Sequence, residues 1–135
     1  MKVRWKRIQK TNREIYYFDS RQAEDTELCG RLLHRMIEEV QAEECRDGVV
    51  FLCIGTDRST GDSLGPLIGY KLKEQKVRRV EIVGTLERPV HAMNLEQSVA
   101  MIERCYPNHV IVAVDASVGS AEHVGCVTLG RGALR

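Results

Sequence analysis

The sequence predicts an α/β protein of three layers, with helices on both faces of a mostly parallel sheet. Two observations carry this prediction. Short apolar runs alternate along the chain with amphipathic segments of helical period. Three of these runs, 49–54, 80–83 and 109–114, are almost continuously apolar, as is typical of parallel strands that helices cover on both faces.

The first 20 residues are interpreted as an N-terminal extension, and the core is expected to begin near residue 25. Within the extension, Ile15-Tyr16-Tyr17-Phe18 could form a short strand or an aromatic clip on the domain. From Asp25 to Cys45 apolar residues recur at helical spacing, which predicts a helix with one buried stripe. Asp25 or Thr26 would cap it, and Asp47-Gly48 would form the following turn.

The β-α-β alternation then follows in order. Strand 49–54 leads into a glycine-rich loop and a helix near 64–76, and strand 80–83 leads into a helix near 94–105. Strand 109–114 precedes a loop and a last strand, 125–129. Right-handed crossovers would bring the loops after the three parallel strands to one edge of the sheet. Residues 1–135 are expected to form a single domain, incomplete at its C-terminus because no helix follows the last strand.

The net charge, the length of the apolar runs and the cysteine spacing limit the classes of function to consider. The 135 residues carry a net charge of +1, which gives no electrostatic argument for nucleic acid or an acidic membrane. No apolar run approaches the roughly 20 residues that span a bilayer, and no secretory signal opens the chain. Five cysteines without CxxC spacing indicate a reducing, cytoplasmic setting, although a cysteine nucleophile stays open.

The glycine-rich loop does not predict a nucleotide site. Residues 55–61 have the spacing of a phosphate-binding P-loop, but Asp62-Ser63 stands where that motif needs Lys-Ser or Lys-Thr. A carboxylate at that point would repel phosphate, and the dinucleotide pattern GxGxxG is absent. We therefore expect no cofactor.

Two aspartates are the candidate catalytic residues. Asp62 precedes a predicted helix, where it could be an N-cap, a catalyst, or both. Asp115 ends an apolar strand, where it could be a simple turn former. If both lie at one sheet edge, they can share a proton and activate water against a peptide carbonyl. With an added histidine, the same carboxylates could instead hold a divalent metal.

Supporting residues surround this pair. Asp57 is interpreted first as a turn former, and the backbone amides of the turn from Gly61 through Ser63 to Gly65 could stabilise an oxyanion. His91, in the loop after strand 80–83, could be a proton donor, an anion contact or a third metal ligand, but a solvated loop histidine is the favoured interpretation. No histidine pairs evidently with Ser63, so a serine nucleophile is not favoured.

These motifs carry a family resemblance. The Gly55–Pro66 segment, Val114-Asp115-Ala116-Ser117 and residues 130–134 resemble the YyaC family of sporulation proteins (DUF1256-like) from spore-forming Firmicutes. That family is similar to the germination protease that degrades small acid-soluble spore proteins, and more distantly to the hydrogenase maturation endopeptidases. The resemblance covers about residues 25–135. It implies a phosphorylase/hydrolase-like fold of the hydrogenase maturation protease type.

The resemblance also implies site residues and a function. Asp62 and Asp115 stand where the germination protease has its two proposed catalytic aspartates, and where the maturation enzymes bind nickel. The implied function is an aspartate-dependent endopeptidase that cleaves a spore or sporulation protein in the cytoplasm of the sporulating cell or forespore. A metal-dependent maturation peptidase and a non-catalytic factor that binds a peptide or protein partner remain open, as does a homo-oligomer.

Overall fold

The structure, a computed structural model, describes residues 2–5, 15–56, 63–116 and 126–131. The described part of the chain contains six strands and three helices. In chain order they are β1 (Lys2–Trp5), β2 (Ile15–Asp19), α1 (Ala23–Glu44), β3 (Gly48–Ile54), α2 (Leu64–Gln75), β4 (Val80–Val83), α3 (Leu95–Cys105), β5 (His109–Asp115) and β6 (Cys126–Arg131). Every helix and strand predicted from residue 25 onwards is confirmed, with small shifts at its ends.

All six strands join one sheet in the order β2-β6-β1-β5-β3-β4. The strand β3 pairs in parallel with β4 on one side and with β5 on the other, which confirms the predicted parallel core. The other half is mixed, because β1 runs antiparallel to β5 and parallel to β6, and β2 runs antiparallel to β6. Residues 1–20, expected as an extension, therefore contribute two strands.

Side chains of alternate residues in the central strands pack against helices on both faces of the sheet. On one face, Met36 and Val40 of α1 pack against Val49 of β3 and against Val110 and Val112 of β5. On the other face, Ile102 of α3 packs with residues of β3, β5 and the loop after β4, namely Val50, Leu52, Ile111 and Val90. The predicted three-layer arrangement of helices around a sheet follows from these two clusters.

The helix α2 lies directly on the sheet backbone. A Cβ atom at Gly65 would clash with the main chain of Ile54, the last residue of β3. A Cβ at Gly69 would clash with the carbonyl of Gly84, the residue after β4. A Cβ at Gly69 would also touch the Cys53 side chain. Because alternate residues of a strand share a face, Cys53 lies on the same face of β3 as Val49, which packs against α1. The helix α2 therefore lies on the same face of the sheet as α1. Two glycines four residues apart thus seat α2 across the ends of β3 and β4.

The helix α1 begins differently from the sequence prediction. It starts at Ala23 with Gln22 at its N-cap, and no side chain caps it. The expected caps have other partners: Asp25 accepts a hydrogen bond from the Asp19 N–H at 2.8 Å, and the Thr26 hydroxyl donates to the Gln22 carbonyl at 3.1 Å. The cap prediction was wrong because Asp25 ties the helix to β2 instead.

We expect Gly65→Ala to lower the free energy of unfolding by about 1–3 kcal/mol or more, the usual cost of overpacking, because backbone cannot move aside as a side chain can. The matched control is Gly30→Ala in α1, where the new Cβ meets no atom within 4 Å. That substitution should stabilise the protein by about 0.4–1 kcal/mol. Urea unfolding of both variants measures the difference, and equal stabilities would contradict the close helix–sheet contact.

Candidate functional site at the carboxyl edge of the sheet

The carboxyl ends of three neighbouring segments meet at Ile54. In the parallel register Ile54 stands opposite Asp115, the last residue of β5. On its other side Ile54 forms a parallel bridge to Val90, and the Gly55 N–H donates to the Val90 carbonyl at 2.7 Å. Since neighbouring strands lie about 4.8 Å apart, Asp115 and Val90 are separated by about 10 Å across this row.

The strand order makes this edge a candidate site. The chain leaves β3 for β4 on one side, whereas β5 lies on the other side of β3. The helices that follow β3 and β4 cover opposite faces of the sheet, so the strand order reverses between β3 and β5, and a crevice is typical of such a point. Open α/β sheets bind their ligands in such a crevice, outside the carboxyl ends of the strands.

The structure describes three of the predicted site residues. Asp115 is half-buried at the end of β5, Ser63 precedes α2, and His91 follows the Val90 bridge. Asp57, Gly61 and Asp62 lie outside the described residues, so the closeness of Asp62 to Asp115 stays a prediction.

The N-cap of α2 corrects one prediction. The N-cap residue is Ser63 rather than Asp62, with φ −87° and ψ −6°, and its side chain makes no cap hydrogen bond. Its carbonyl accepts from the Leu67 N–H at 3.1 Å, which begins the helix.

His91 is held by a turn that the sequence did not reveal. Its backbone N–H donates to the Asn94 Oδ1 at 2.7 Å, and the Asn94 Nδ2 donates to the Pro89 carbonyl at 3.1 Å. The Asn94 N–H donates back to the His91 carbonyl at 3.1 Å. The Met93 N–H then donates to the ring Nδ1 of His91 at 3.2 Å. The signal for this turn was Asn94 itself, three residues after His91.

This hydrogen bond fixes the chemistry of the His91 ring. A neutral imidazole carries one proton, and Nδ1 must offer its lone pair to accept from Met93. The proton of the neutral ring therefore sits on Nε2. In that form Nε2 can donate a hydrogen bond but has no lone pair for a metal, so the structure disfavours His91 as a third metal ligand.

Cys53 lies one residue before Ile54 and is fully buried. Burial raises the pKa of its thiol to about 12, since the desolvated thiolate is unfavourable. Burial also raises the pKa of the Cys29 thiol. Both groups are therefore neutral thiols at physiological pH, and a thiolate nucleophile is excluded at these two positions.

A cavity of about 250 Å³ lies at the opposite, amino edge of the sheet. Arg46 in its wall donates to the carbonyls of Pro107 and His109, both at 2.9 Å, and contacts the Glu44 carboxylate at 2.8 Å. Its guanidinium therefore joins the end of α1 to the start of β5. Arg46 therefore has a structural role at the amino edge, at the opposite end of the strands from the candidate site.

Metal clusters and membrane spans are both absent from the described residues. Among them, no group of three or more histidine, cysteine, aspartate or glutamate side chains is placed to hold a metal ion. No helix in the same part of the chain is long and apolar enough to cross a membrane.

The fold defines an α/β protein with a parallel core of three strands. Residues 17–135 match the family described as "Protein of unknown function (DUF1256)", and the chain belongs to that family. It is 47% identical over 87 residues to a Bacillus subtilis (strain 168) protein called "Uncharacterized protein YyaC". That match covers 64% of this chain and 42% of the relative, so the chain spans less than half of that protein. No solved structure matches the chain.

The buried Cys53 predicts how stability responds to alkaline pH. In the unfolded chain this thiol ionises near the ordinary cysteine pKa of 9.0, whereas the folded thiol keeps its proton up to about 12. Between these values the folded state binds the extra proton, so stability falls by about 1.4 kcal/mol per pH unit as pH rises. We expect Cys53→Ala to lose this part of the decline, and the exposed Cys105→Ala to keep it. Unfolding midpoints from pH 8 to 10.5 that run in parallel for both variants would contradict the assignment.

Proposed function

We propose that this protein is an aspartate-dependent endopeptidase that uses Asp115 together with Asp62. The observation that supports the proposal most is the register of Asp115 with Ile54 at the carboxyl edge. The loop that contains Asp62 leaves β3 directly after Ile54 and ends where Gly65 rests on the Ile54 backbone. Both ends of that loop are therefore tied to the residue beside Asp115.

The chemistry of such a pair is general acid–base catalysis. Two neighbouring carboxylates cannot both ionise cheaply, so one keeps a proton while the other acts as a base. The ionised carboxylate takes a proton from water, and the oxygen of that water attacks the peptide carbonyl carbon. The protonated carboxyl then gives its proton to the leaving amine as the C–N bond breaks. Asp57, Gly61 and Ser63 are proposed as supporting residues of the loop, with main-chain N–H groups near the developing oxyanion.

The fold and setting of the proposal come from the family resemblance. The α/β sheet with a crevice is compatible with a phosphorylase/hydrolase-like fold of the hydrogenase maturation protease type. By the same resemblance, the substrate is a spore or sporulation protein, and the reaction takes place in the cytoplasm of a sporulating cell. No nucleic acid or membrane enters this reaction.

A metal-dependent peptidase would use the same aspartates as ligands and would need a third donor. His91 is the candidate that the sequence analysis named, but its Nδ1 already accepts a main-chain hydrogen bond. Metal binding through Nε2 would require that bond to break or the neutral ring to lose its one N–H proton. This cost favours the aspartate pair over the metal site.

We expect Asp115→Asn to lower the rate of cleavage of small acid-soluble spore proteins by about 10²–10⁴, the usual contribution of a general acid or base. Asp62→Asn should lower it by a similar factor, and the double variant should lose little more, because the two groups act as one unit. The control is Glu87→Gln, an exposed carboxylate in the loop between β4 and α3. It removes the same charge from the same edge of the sheet and should cleave like wild type.

The same assay with and without a chelator separates the alternatives. Cleavage that a chelator abolishes and added divalent metal restores would favour the metal-dependent peptidase. Full cleavage by both asparagine variants would overturn the aspartate pair. A folded wild type that binds spore proteins without cleaving them would favour the non-catalytic binding factor.

A further inference from the structure

The residue Asn94 occupies the N-cap of α3 but does not cap the helix. Asparagine at an N-cap normally accepts a hydrogen bond from the N–H groups of the first helical turn. Here the Asn94 side chain makes no such bond. Both of its polar atoms serve the preceding loop instead: Oδ1 accepts from the His91 N–H, and Nδ2 donates to the Pro89 carbonyl. The Asn94 side chain therefore fixes the preceding loop instead of capping α3.

The fixed loop holds His91 next to the row of strand ends. Val90, the preceding residue, is only 3% exposed and bridges Ile54, so the main chain at this point cannot shift freely. The Asn94 bonds then close a turn from Pro89 to Asn94. The Met93 N–H, part of the same turn, sets the ring by donating to Nδ1. Backbone and ring of His91 are both constrained by main-chain and Asn94 bonds.

A neutral ring held in this way can only donate. The lone pair of Nδ1 is engaged with Met93, and Nε2 carries the proton. His91 in this state cannot act as a general base, since no free lone pair remains. An N–H aimed at a developing negative charge is, however, the group that an oxyanion site needs. A neutral imidazole acting as an electrophile in this way is a known catalytic pattern.

Building on the proposed peptidase, we propose that His91 is its electrophile and Asn94 its positioning residue. His91 Nε2–H donates to the carbonyl oxygen of the scissile peptide and holds the oxyanion that forms when water adds. No proton passes to or from His91, because the aspartate pair takes the proton from water and supplies one to the leaving amine. Asn94 acts only through His91, by fixing the turn that selects the Nε2–H form.

The first measurement is the protonation of the ring itself. Long-range proton–nitrogen NMR of the ¹⁵N-labelled full chain distinguishes a protonated Nε2 from a protonated Nδ1 in each histidine, and His91→Gln assigns the signal. We expect the neutral wild-type ring to carry its proton on Nε2 alone, and Asn94→Ala to give a mixture of the two forms. A wild-type mixture, or a proton on Nδ1, would overturn the inference whatever the outcome for the aspartate pair.

The second measurement is cleavage of small acid-soluble spore proteins with kcat and KM separated. His91→Ala should lower kcat by about 10²–10³, as for loss of one oxyanion donor, with little change in KM. His91→Gln keeps a side-chain N–H and should recover part of the rate. Asn94→Ala should lower kcat by about tenfold to a hundredfold through misplacement of the ring.

The control for Asn94 is Ser98→Ala. The Ser98 hydroxyl donates to the Asn94 carbonyl at 2.9 Å, so this variant weakens the same helix start without touching the His91 turn. It should keep both kcat and the Nε2–H form. An unchanged kcat in His91→Ala, alongside a loss in Asp115→Asn, would overturn the role of His91 and leave the peptidase standing. An unchanged rate in Asp115→Asn would overturn the proposed function itself.

Discussion

The contact that the site depends on is the one between α2 and the backbone of the sheet. Gly65 and Gly69 bring the helix axis so close to Ile54 and Gly84 that any side chain would clash. The conformation of Gly84, with φ +99°, is one that glycine adopts readily and other residues avoid. Three glycines therefore set the height of α2 above β3 and the point where the loop before α2 must end. The point where the loop ends follows from main-chain packing, which is stiffer than side-chain packing.

The polar contacts at the two edges of the sheet have different roles. At the amino edge, Arg46 joins α1 to the turn before β5, and Arg79 pairs with Asp47 at 2.6 Å. These bonds stabilise the connections between helices and strands at the amino edge. At the carboxyl edge, the hydrogen bonds of the Pro89–Asn94 turn fix the backbone and the ring of His91. Open α/β sheets bind their ligands at the carboxyl ends of the strands, the edge opposite to these arginine contacts.

Much of this architecture could be predicted from the sequence, because local patterns carry it. The strands β3, β4 and β5 are short apolar runs, and α1 and α3 show helical periods that survive in the structure. Asp115 at a sheet edge also followed from its place after an apolar run. The pairing of β1 could not be predicted, because its partners lie more than a hundred residues away and no local pattern encodes them. The chain therefore predicts its parallel half well and its mixed half poorly.

The part of the site that the sequence missed is Asn94. A lone asparagine before a helix is normally explained by capping, and only the hydrogen bonds show that it caps nothing. His91 was visible as a candidate, but its ring state was not, because the deciding donor is a backbone N–H. Such main-chain hydrogen bonds cannot be predicted from a single sequence, since residue type does not show where an N–H points.

The place of β1 in the sheet has a consequence for how the chain folds. Its residues Lys2–Trp5 pair with 112–115 on one side and 128–131 on the other. The strand β1 therefore gains its two neighbours only after residues more than a hundred positions further along have been made. Contacts of such large sequence separation close late and slow folding, and they leave an unpaired strand open to other chains meanwhile. We therefore expect the sheet to assemble from β3, β4 and β5 outwards, with β1 inserted late.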